Sequence, residues 1–94
     1  KDENIITNPK LLVEVLSPTT ADYDRGAKFE HYVTIPSLDE VLFVSLGPRF
    51  VQRRRRHASG EWVMSWHHEG QVELGSLGST LAIVDVFAKL DLVH

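Results

Sequence analysis

One acidic and one basic side chain in this sequence combine residue types and spacing that could do chemistry on a phosphate group. Glu14 lies in the run Leu11 to Leu16, in which all the remaining residues are apolar. An ionised carboxylate in such a strand is costly to desolvate unless a charged group pairs with it. Lys28 follows on a predicted helix, from which its ammonium group could reach back over the strand. The pair therefore predicts a divalent-metal ligand with a phosphate-stabilising cation beside it.

The chemistry expected of this pair is hydrolysis of a phosphodiester. Mg²⁺ or Mn²⁺ prefers hard oxygen ligands, and one or two carboxylates with waters and substrate phosphate complete its coordination shell. Such an ion polarises the phosphodiester and lowers the pKa of an attacking water, while Lys28 would neutralise charge that builds on the phosphate. The alternative is a structural ion pair from Glu14 to Lys28 or to Arg25 that closes the helix on the sheet. Spacing alone leaves both open.

The elements that must position this pair are a strand, a helix and a second strand. Residues 11–16 are predicted to form a strand buried on both faces, and hence central in its sheet. A helix is predicted over residues 22–34, ended by Pro36. A second strand over residues 40–46 suggests a crossover connection, although an antiparallel arrangement stays open. Three polar residues recur at i, i+4 and i+8 and share one face of the helix: Asp24, Lys28 and Tyr32.

The rest of the chain predicts a hairpin and short elements. Residues 49–56 and 61–68 alternate polar with apolar side chains, and the four residues between them, ending in Gly60, are a hairpin signal. A strand is predicted near 71–74, with glycine turns after it, and Asp85 is predicted to cap a terminal helical turn. The fold class expected is α/β, or α+β in some schemes: a mixed sheet with one main helix and a hairpin, in a single domain over residues 1–94.

Composition narrows the class of protein. The 94 residues are 43% hydrophobic and 24% charged, as in an ordinary globular domain, and no stretch is apolar over the length that a membrane span requires. With no cysteine there is neither a disulfide nor a Cys-ligated zinc site. No signal-peptide pattern is evident, and the expected compartment is the cytoplasm. The net charge of −3 gives no overall attraction to nucleic acid.

One local basic run departs from that acidic average. Four of the ten basic residues form Arg53 to Arg56. On a strand Arg53 and Arg55 face the same way, so they could contact backbone phosphates of DNA. Trp62 and Trp66 could stack on bases or hold a guanidinium group. The alternative is a solvated hairpin whose tryptophans pack on the core. The run is thus a weak prediction of nucleic-acid binding.

The segment from Leu12 to Tyr32, LVEVLSPTTADYDRGAKFEHY, closely resembles the signature of the Uma2 family of restriction-endonuclease-like proteins. The later segments LFVS (42–45) and VELGSLGSTLAIVDVF (72–87) are similar to that family's later half. The resemblance implies a variant of the PD-(D/E)xK nuclease core, with a restriction-endonuclease-like mixed sheet, and a Mg²⁺- or Mn²⁺-dependent DNA endonuclease activity. In that family the second acid sits on a strand, which matches Glu14, and the lysine has moved to the helix, which matches Lys28.

The resemblance also implies roles for neighbouring groups. Glu14 and the main-chain carbonyl of Val15 would bind the metal, Lys28 would stabilise the transition state, and Asp24 and Tyr32 would position Lys28. The family's first acid, an aspartate after a proline at the end of an earlier strand, precedes the residues present. We therefore expect the C-terminal portion of such a domain, with an incomplete core and impaired activity. The second hypothesis is a non-catalytic binding or assembly module that forms a homo-oligomer through an exposed sheet edge.

Overall fold

The structure is a computed structural model that describes residues 9–16 and 21–93 of the chain, with side chains described over 9–16 and 25–90. Within these residues the chain forms six strands and two helices. Their bounds are β1 (Leu11–Leu16), α1 (Ala21–Tyr32), β2 (Glu40–Ser45), β3 (Phe50–Arg56), β4 (Trp62–His67), β5 (Gln71–Leu74), β6 (Ser79–Ala82) and α2 (Ile83–Val93).

A four-stranded mixed sheet organises the domain. Its order is β1-β2-β3-β4, with β1 parallel to β2 and the other two pairs antiparallel. The parallel β1–α1–β2 unit is the crossover that the sequence suggested, and the β3–β4 hairpin is also confirmed. The hairpin turn contains Gly60 at a φ of 93°, a conformation that side chains with a Cβ rarely adopt. The separate β5–β6 pair is antiparallel.

Two apolar layers cover the two faces of the four-stranded sheet. On one face α1 packs through Phe29 and Tyr32 on a cluster that includes Leu16 and Phe43. On the other face β5, β6 and α2 pack on Leu42, Val44 and Val51 through five buried or partly buried residues: Val72, Leu74, Leu81, Ile83 and Phe87. The sheet is therefore the middle of three layers, a mixed α+β arrangement as the sequence predicted.

The position predicted for β1 is wrong. Among the described residues β1 lies at the edge of the sheet, and Val13 and Val15 are 55% and 40% exposed. The layer of β5, β6 and α2 covers β2 and β3 on that face, so it leaves these two valines open. The strand that is buried along its whole length is β2. An apolar run thus indicated a buried strand but could not distinguish an edge from a centre.

The C-terminal elements also differ from expectation. Strand β6 was not predicted, because its sequence, STLA, is short and has little alternation. Helix α2 begins at Ile83, so Asp85 lies inside its first turn rather than at its cap. An acid in the first helical turn still interacts favourably with the helix dipole. Within the described residues, neither helix is long and apolar enough to cross a membrane.

Candidate functional site

The structure brings Glu14, Lys28 and Tyr32 together on one face of the sheet. Lys28 Nζ lies 3.0 Å from Glu14 Oε2. The Tyr32 hydroxyl donates a short hydrogen bond to Glu14 Oε1. Each carboxylate oxygen of Glu14 therefore has a partner from α1. We call this group the Glu14 cluster.

The local sequence explains why these three side chains meet. Alternation along β1 directs Glu14 to the face that α1 covers, beside Phe43 of β2. Lys28 and Tyr32 are four residues apart, so they lie one above the other on the helix. Phe29 holds the helix to the sheet by packing against the cluster of Leu16 and Phe43. Apolar packing thus places the two polar side chains over β1.

Glu14 is less buried than its apolar neighbours suggest. Its side chain is 26% exposed and that of Lys28 is 43% exposed, because β1 lies at the edge of the described sheet. An ion pair at this exposure is worth about 0–1 kcal/mol. The desolvation cost that made Glu14 conspicuous in the sequence is therefore small. The carboxylate is accessible to an ion or a substrate from solvent.

Tyr32 is held as a neutral hydrogen-bond donor. Partial burial raises the pKa of its phenol above the ordinary value near 10, and the hydrogen bond to Glu14 and the negative charge of Glu14 raise it further. The family resemblance implied that Tyr32 positions Lys28; in the structure its hydroxyl contacts the Glu14 carboxylate. Asp24 was assigned the same task. Its backbone lies in α1, but its side chain falls outside the described ones.

The donor set for a metal is small. Within residues 9–16 and 21–93 no group of three or more Asp, Glu, His or Cys side chains could hold an ion. Glu14 supplies one carboxylate, and the carbonyl of Val15 is the next main-chain oxygen along β1. Hard oxygen donors of this kind suit Mg²⁺ or Mn²⁺, which often keep several waters and take only one or two carboxylates. The residues fit such an ion as a partial set of ligands.

Arg53 is engaged inside the protein. Its Nε donates to Glu40 Oε2 at 2.7 Å, and Nη2 makes an ionic contact with the same oxygen at 2.7 Å. The Arg53 side chain is 14% exposed and that of Glu40 is fully buried. The prediction that Arg53 contacts DNA phosphates has no structural support beyond its charge. Of the two arginines predicted to do so, Arg55 is the one exposed to solvent.

The other two arginines of the run lie on the opposite face, as strand alternation predicts. Arg54 stacks on Phe29 and Phe43, with Cζ 4.3 and 5.1 Å from the ring centroids. Arg56 lies over Trp62 and donates to the carbonyl of Ile35 at 3.2 Å. Both guanidinium groups therefore contribute to packing of α1 and its following turn on the sheet.

The two tryptophans have different environments. Trp62 packs edge-on against Phe29, with ring centroids 5.1 Å apart. Trp66 is 53% exposed and is free to make contacts beyond the domain. The prediction that the tryptophans pack on the core therefore describes Trp62 but not Trp66.

His67, next to Trp66, shares a hydrogen bond with Ser65. Burial together with the charges of Arg53 and His68 lowers the pKa of His67.

Glu40 is a buried carboxylate that sequence reasoning missed as a site. The backbone N–H and the hydroxyl of Ser76 donate to its Oε1 at 2.7 and 2.6 Å, and the Gly75 N–H reaches Oε2 at 3.3 Å. Burial alone would raise the pKa of Glu40, but the hydrogen bonds from Ser76 and the charge and hydrogen bond of Arg53 outweigh it and lower the pKa. The available signal was an acid beginning the apolar strand Glu40–Ser45, the same signal that marked Glu14.

Comparisons with known proteins now bear on this geometry. The model of the Uma2 family, described as "Putative restriction endonuclease", matches residues 1–84. The chain is similar to the uncharacterized protein slr1290 of Synechocystis sp., with 35% identity over 91 residues that are 96% of this chain and 48% of that protein. It is also similar to the uncharacterized protein sll1609 of the same organism, with 35% identity over 60 residues, 64% of this chain and 34% of that protein.

The family model covers most of this chain, whereas this chain covers only part of each relative. The chain spans about half the length or less of the curated relatives it matches. No solved structure matches it at a significant level. The family model covers most of the chain and includes every residue of the Glu14 cluster. The chain therefore belongs to the Uma2 family.

Proposed function

We propose that this chain carries the Glu14 and Lys28 part of a metal-dependent DNA endonuclease site of the PD-(D/E)xK type. The observation that carries the proposal is the 3.0 Å approach of Lys28 Nζ to Glu14 Oε2 across fourteen residues of sequence. The family's description as "Putative restriction endonuclease" supports a nuclease-like function. Phosphodiester hydrolysis needs a carboxylate, a cation and solvent access together, and the Glu14 cluster has all three.

Glu14 and the Val15 carbonyl would hold Mg²⁺ or Mn²⁺. The ion, when bound, supplies polarisation of the phosphodiester and a lowered pKa for an attacking water. A carboxylate has about four lone-pair sites, so Glu14 can bind an ion while Tyr32 still donates to it. The Tyr32 hydrogen bond fixes the carboxylate rotamer, because a neutral phenol persists at every physiological pH.

Lys28 would act on the substrate. Its ammonium group has three donors, of which one direction is used by Glu14. With an ion held at Glu14, the ammonium group would also donate to a phosphate oxygen and stabilise negative charge there. With a further acid contributed from outside residues 9–93, the donor set for the ion would be complete. This chain then corresponds to the C-terminal portion of the catalytic domain.

The test is nicking of supercoiled plasmid in Mn²⁺ together with direct measurement of Mn²⁺ binding by electron paramagnetic resonance. The protein is assayed as the 94-residue chain and with any in-frame coding sequence that lies upstream. Glu14→Gln should abolish ion binding and nicking, and Lys28→Met should lower nicking about 100-fold while ion binding remains. Glu30→Gln, an exposed acid on the same helix, is the matched control. Equal binding and nicking by Glu14→Gln and the control would refute the assignment.

A non-catalytic assembly module is the second candidate, and one observation favours it. Strand β1 is the edge of the described sheet, and Val13 and Val15 are exposed beside it. Open edges with apolar side chains favour pairing with a second copy of the chain. Sedimentation analysis of Val15→Lys tests this, with Val84→Lys, at a residue 73% exposed on α2, as control. A dimer that only Val15→Lys dissociates would support the module; unchanged mass in both variants would exclude pairing through β1.

A further inference from the structure

We propose that a second site, a cleft at the beginning of β1 and β2, binds a phosphate group. The cleft has a volume of about 400 Å³ and its lining includes Lys10, Asp39, Arg55, Arg56, His57 and Gly75. We call it the basic cleft. It does not include any residue of the Glu14 cluster, so the proposal does not depend on the proposed nuclease function.

Backbone hydrogen bonds hold the chain segments of the basic cleft together. The carbonyl of Lys10 accepts hydrogen bonds from the N–H groups of Asp39 and Glu40, both at 3.0 Å. The N–H of Arg56 donates to the carbonyl of Asp39 at 2.8 Å. The residues that begin β1 and β2 and those that end β3 are therefore fixed relative to one another. Such a site is organised before a ligand arrives, which lowers the entropy cost of binding.

The charged side chains that line the basic cleft are mostly positive, and two of them form no ion pair within the described residues. Lys10 and Arg55 are exposed, and in the described part of the chain neither forms an ion pair. Arg56 also lines the cleft, but its guanidinium group lies over Trp62 on the α1 face and donates to main-chain carbonyls of residues 33, 35 and 36. Asp39 is the carboxylate of the lining. An anion placed here therefore meets two exposed cations, Lys10 and Arg55, and one opposing acid.

Gly75 leaves space for the guanidinium group of Arg55 in the basic cleft. A Cβ on this residue would lie 3.0 Å from both Cζ and Nη2 of Arg55, which is tighter than most contacts of a Cβ, so the guanidinium group would have to shift. Gly75 has no positive φ, so its backbone does not itself require glycine. The absent side chain instead lets the Arg55 guanidinium lie flat on the turn between β5 and β6. This contact holds the guanidinium at the wall of the cleft.

The chemistry of these groups selects a phosphate group over a simple carboxylate. The paired donors of a guanidinium group match two oxygens of a phosphate or of a carboxylate. Lys10 lines the same cleft and supplies an ammonium donor for a third oxygen, which a carboxylate lacks. His57 adds a further donor to the same cleft. The phosphate could be free or could belong to a nucleic-acid backbone. Both sources present the same oxygens, and the experiment separates them.

The experiment follows backbone amide chemical shifts by NMR during titration with inorganic phosphate and, separately, with a hexathymidylate oligonucleotide lacking terminal phosphates. We expect shifts at Ala58, Gly75 and Ser76, which line the cleft. Shifts with inorganic phosphate identify a free phosphate ligand, and shifts with the oligonucleotide alone identify the phosphodiester backbone. Either result supports the proposal. No shift at these amides in either titration would overturn it.

Variants decide whether the basic cleft causes the binding. Arg55→Ala and Lys10→Ala should each weaken it about tenfold, the effect of removing one charged hydrogen-bond donor. Asp39→Asn should instead tighten it, because the opposing charge is removed while the main-chain contacts of residue 39 remain. Lys89→Ala removes an exposed cation from α2 and is the control. Undiminished binding by both Arg55→Ala and Lys10→Ala, or weaker binding by Asp39→Asn, would refute the site.

Discussion

Replacing Arg53 by methionine should destabilise the fold strongly, because it leaves the Glu40 carboxylate buried without its cation. Removing one partner of a buried ion pair typically costs about 3–5 kcal/mol. The two hydrogen bonds from Ser76 to Glu40 Oε1 would remain, so we expect the lower end, about 3 kcal/mol. For a domain of this size that loss lowers the melting temperature by about 12–24 °C.

The loss of stability caused by Arg53→Met should depend on pH. The pKa of Glu40 is lowered in the native protein, so the stabilisation that its charged form provides is present above the unfolded pKa and is lost as pH falls through the folded pKa. Without Arg53, burial is less well opposed and the carboxyl can fold protonated. The destabilisation by Arg53→Met should therefore be largest at neutral pH and should shrink as the pH falls toward 4.

Urea denaturation followed by circular dichroism at neutral and acidic pH measures both effects. Arg55→Met is the matched control, since it removes the same charge from an exposed position on the same strand and should change the free energy of unfolding by no more than about 0.5 kcal/mol. Adding Glu40→Gln to Arg53→Met should recover part of the loss. Equal effects of the two arginine substitutions, or no recovery in the double variant, would refute the argument that a buried charge is at stake.

Three other substitutions test the packing and hydrogen bonds on the α1 face. Trp62→Ala should lower the free energy of unfolding by about 3 kcal/mol in urea denaturation, because Trp62 packs on Phe29, and an effect below about 1 kcal/mol would contradict that packing. Trp66→Ala, at a side chain 53% exposed, should change it by less than about 0.5 kcal/mol, and a larger loss would show a contact that the fold does not explain. Tyr32→Phe should leave the ultraviolet phenolate step near the ordinary pKa of 10 unchanged, because burial and Glu14 raise the pKa of Tyr32 above that value. A raised pKa stabilises the fold below the ordinary value, and that contribution is lost at higher pH, so Tyr32→Phe should also lose less stability in alkali. Loss of a phenolate step at the ordinary pKa in this variant would contradict the raised pKa.

Local patterns predicted most of the helices and strands but not how deeply each is buried in the fold. The strand at Leu11–Leu16, the helix that follows and the β3–β4 hairpin could be predicted from apolar runs, proline and glycine signals. Whether a strand is central depends on which neighbours pair with it, and no residue of β1 encodes that. Strand β6 could not be predicted because four small or mixed residues carry no period.

The proximity of Glu14 and Lys28 could be predicted from the sequence, but the contact between Arg53 and Glu40 could not. A carboxylate on β1 and a lysine on α1 could be matched because helix and strand geometry place them on facing surfaces. The Arg53–Glu40 pair could not be, because antiparallel pairing sets Arg53 opposite Leu42 and Arg55 opposite Glu40. The arginine that reaches the carboxylate is therefore the diagonal neighbour, a choice made by side-chain reach and burial rather than by register.

Glu14 and Glu40 carry the same local signal and have opposite physical consequences. Both are acids beside apolar strand residues, but the Glu40 carboxylate is fully buried and takes four hydrogen bonds, so releasing it to any ligand would cost several kcal/mol. Glu14 is partly exposed and shares an ion pair with a lysine that is more exposed still, which solvent screens to about 1 kcal/mol or less. A carboxylate that is to exchange its partner for a metal ion must be held this weakly. The difference between the two acids is why the proposed chemistry belongs at Glu14, while Glu40 fastens the turn of β5 and β6 to the sheet.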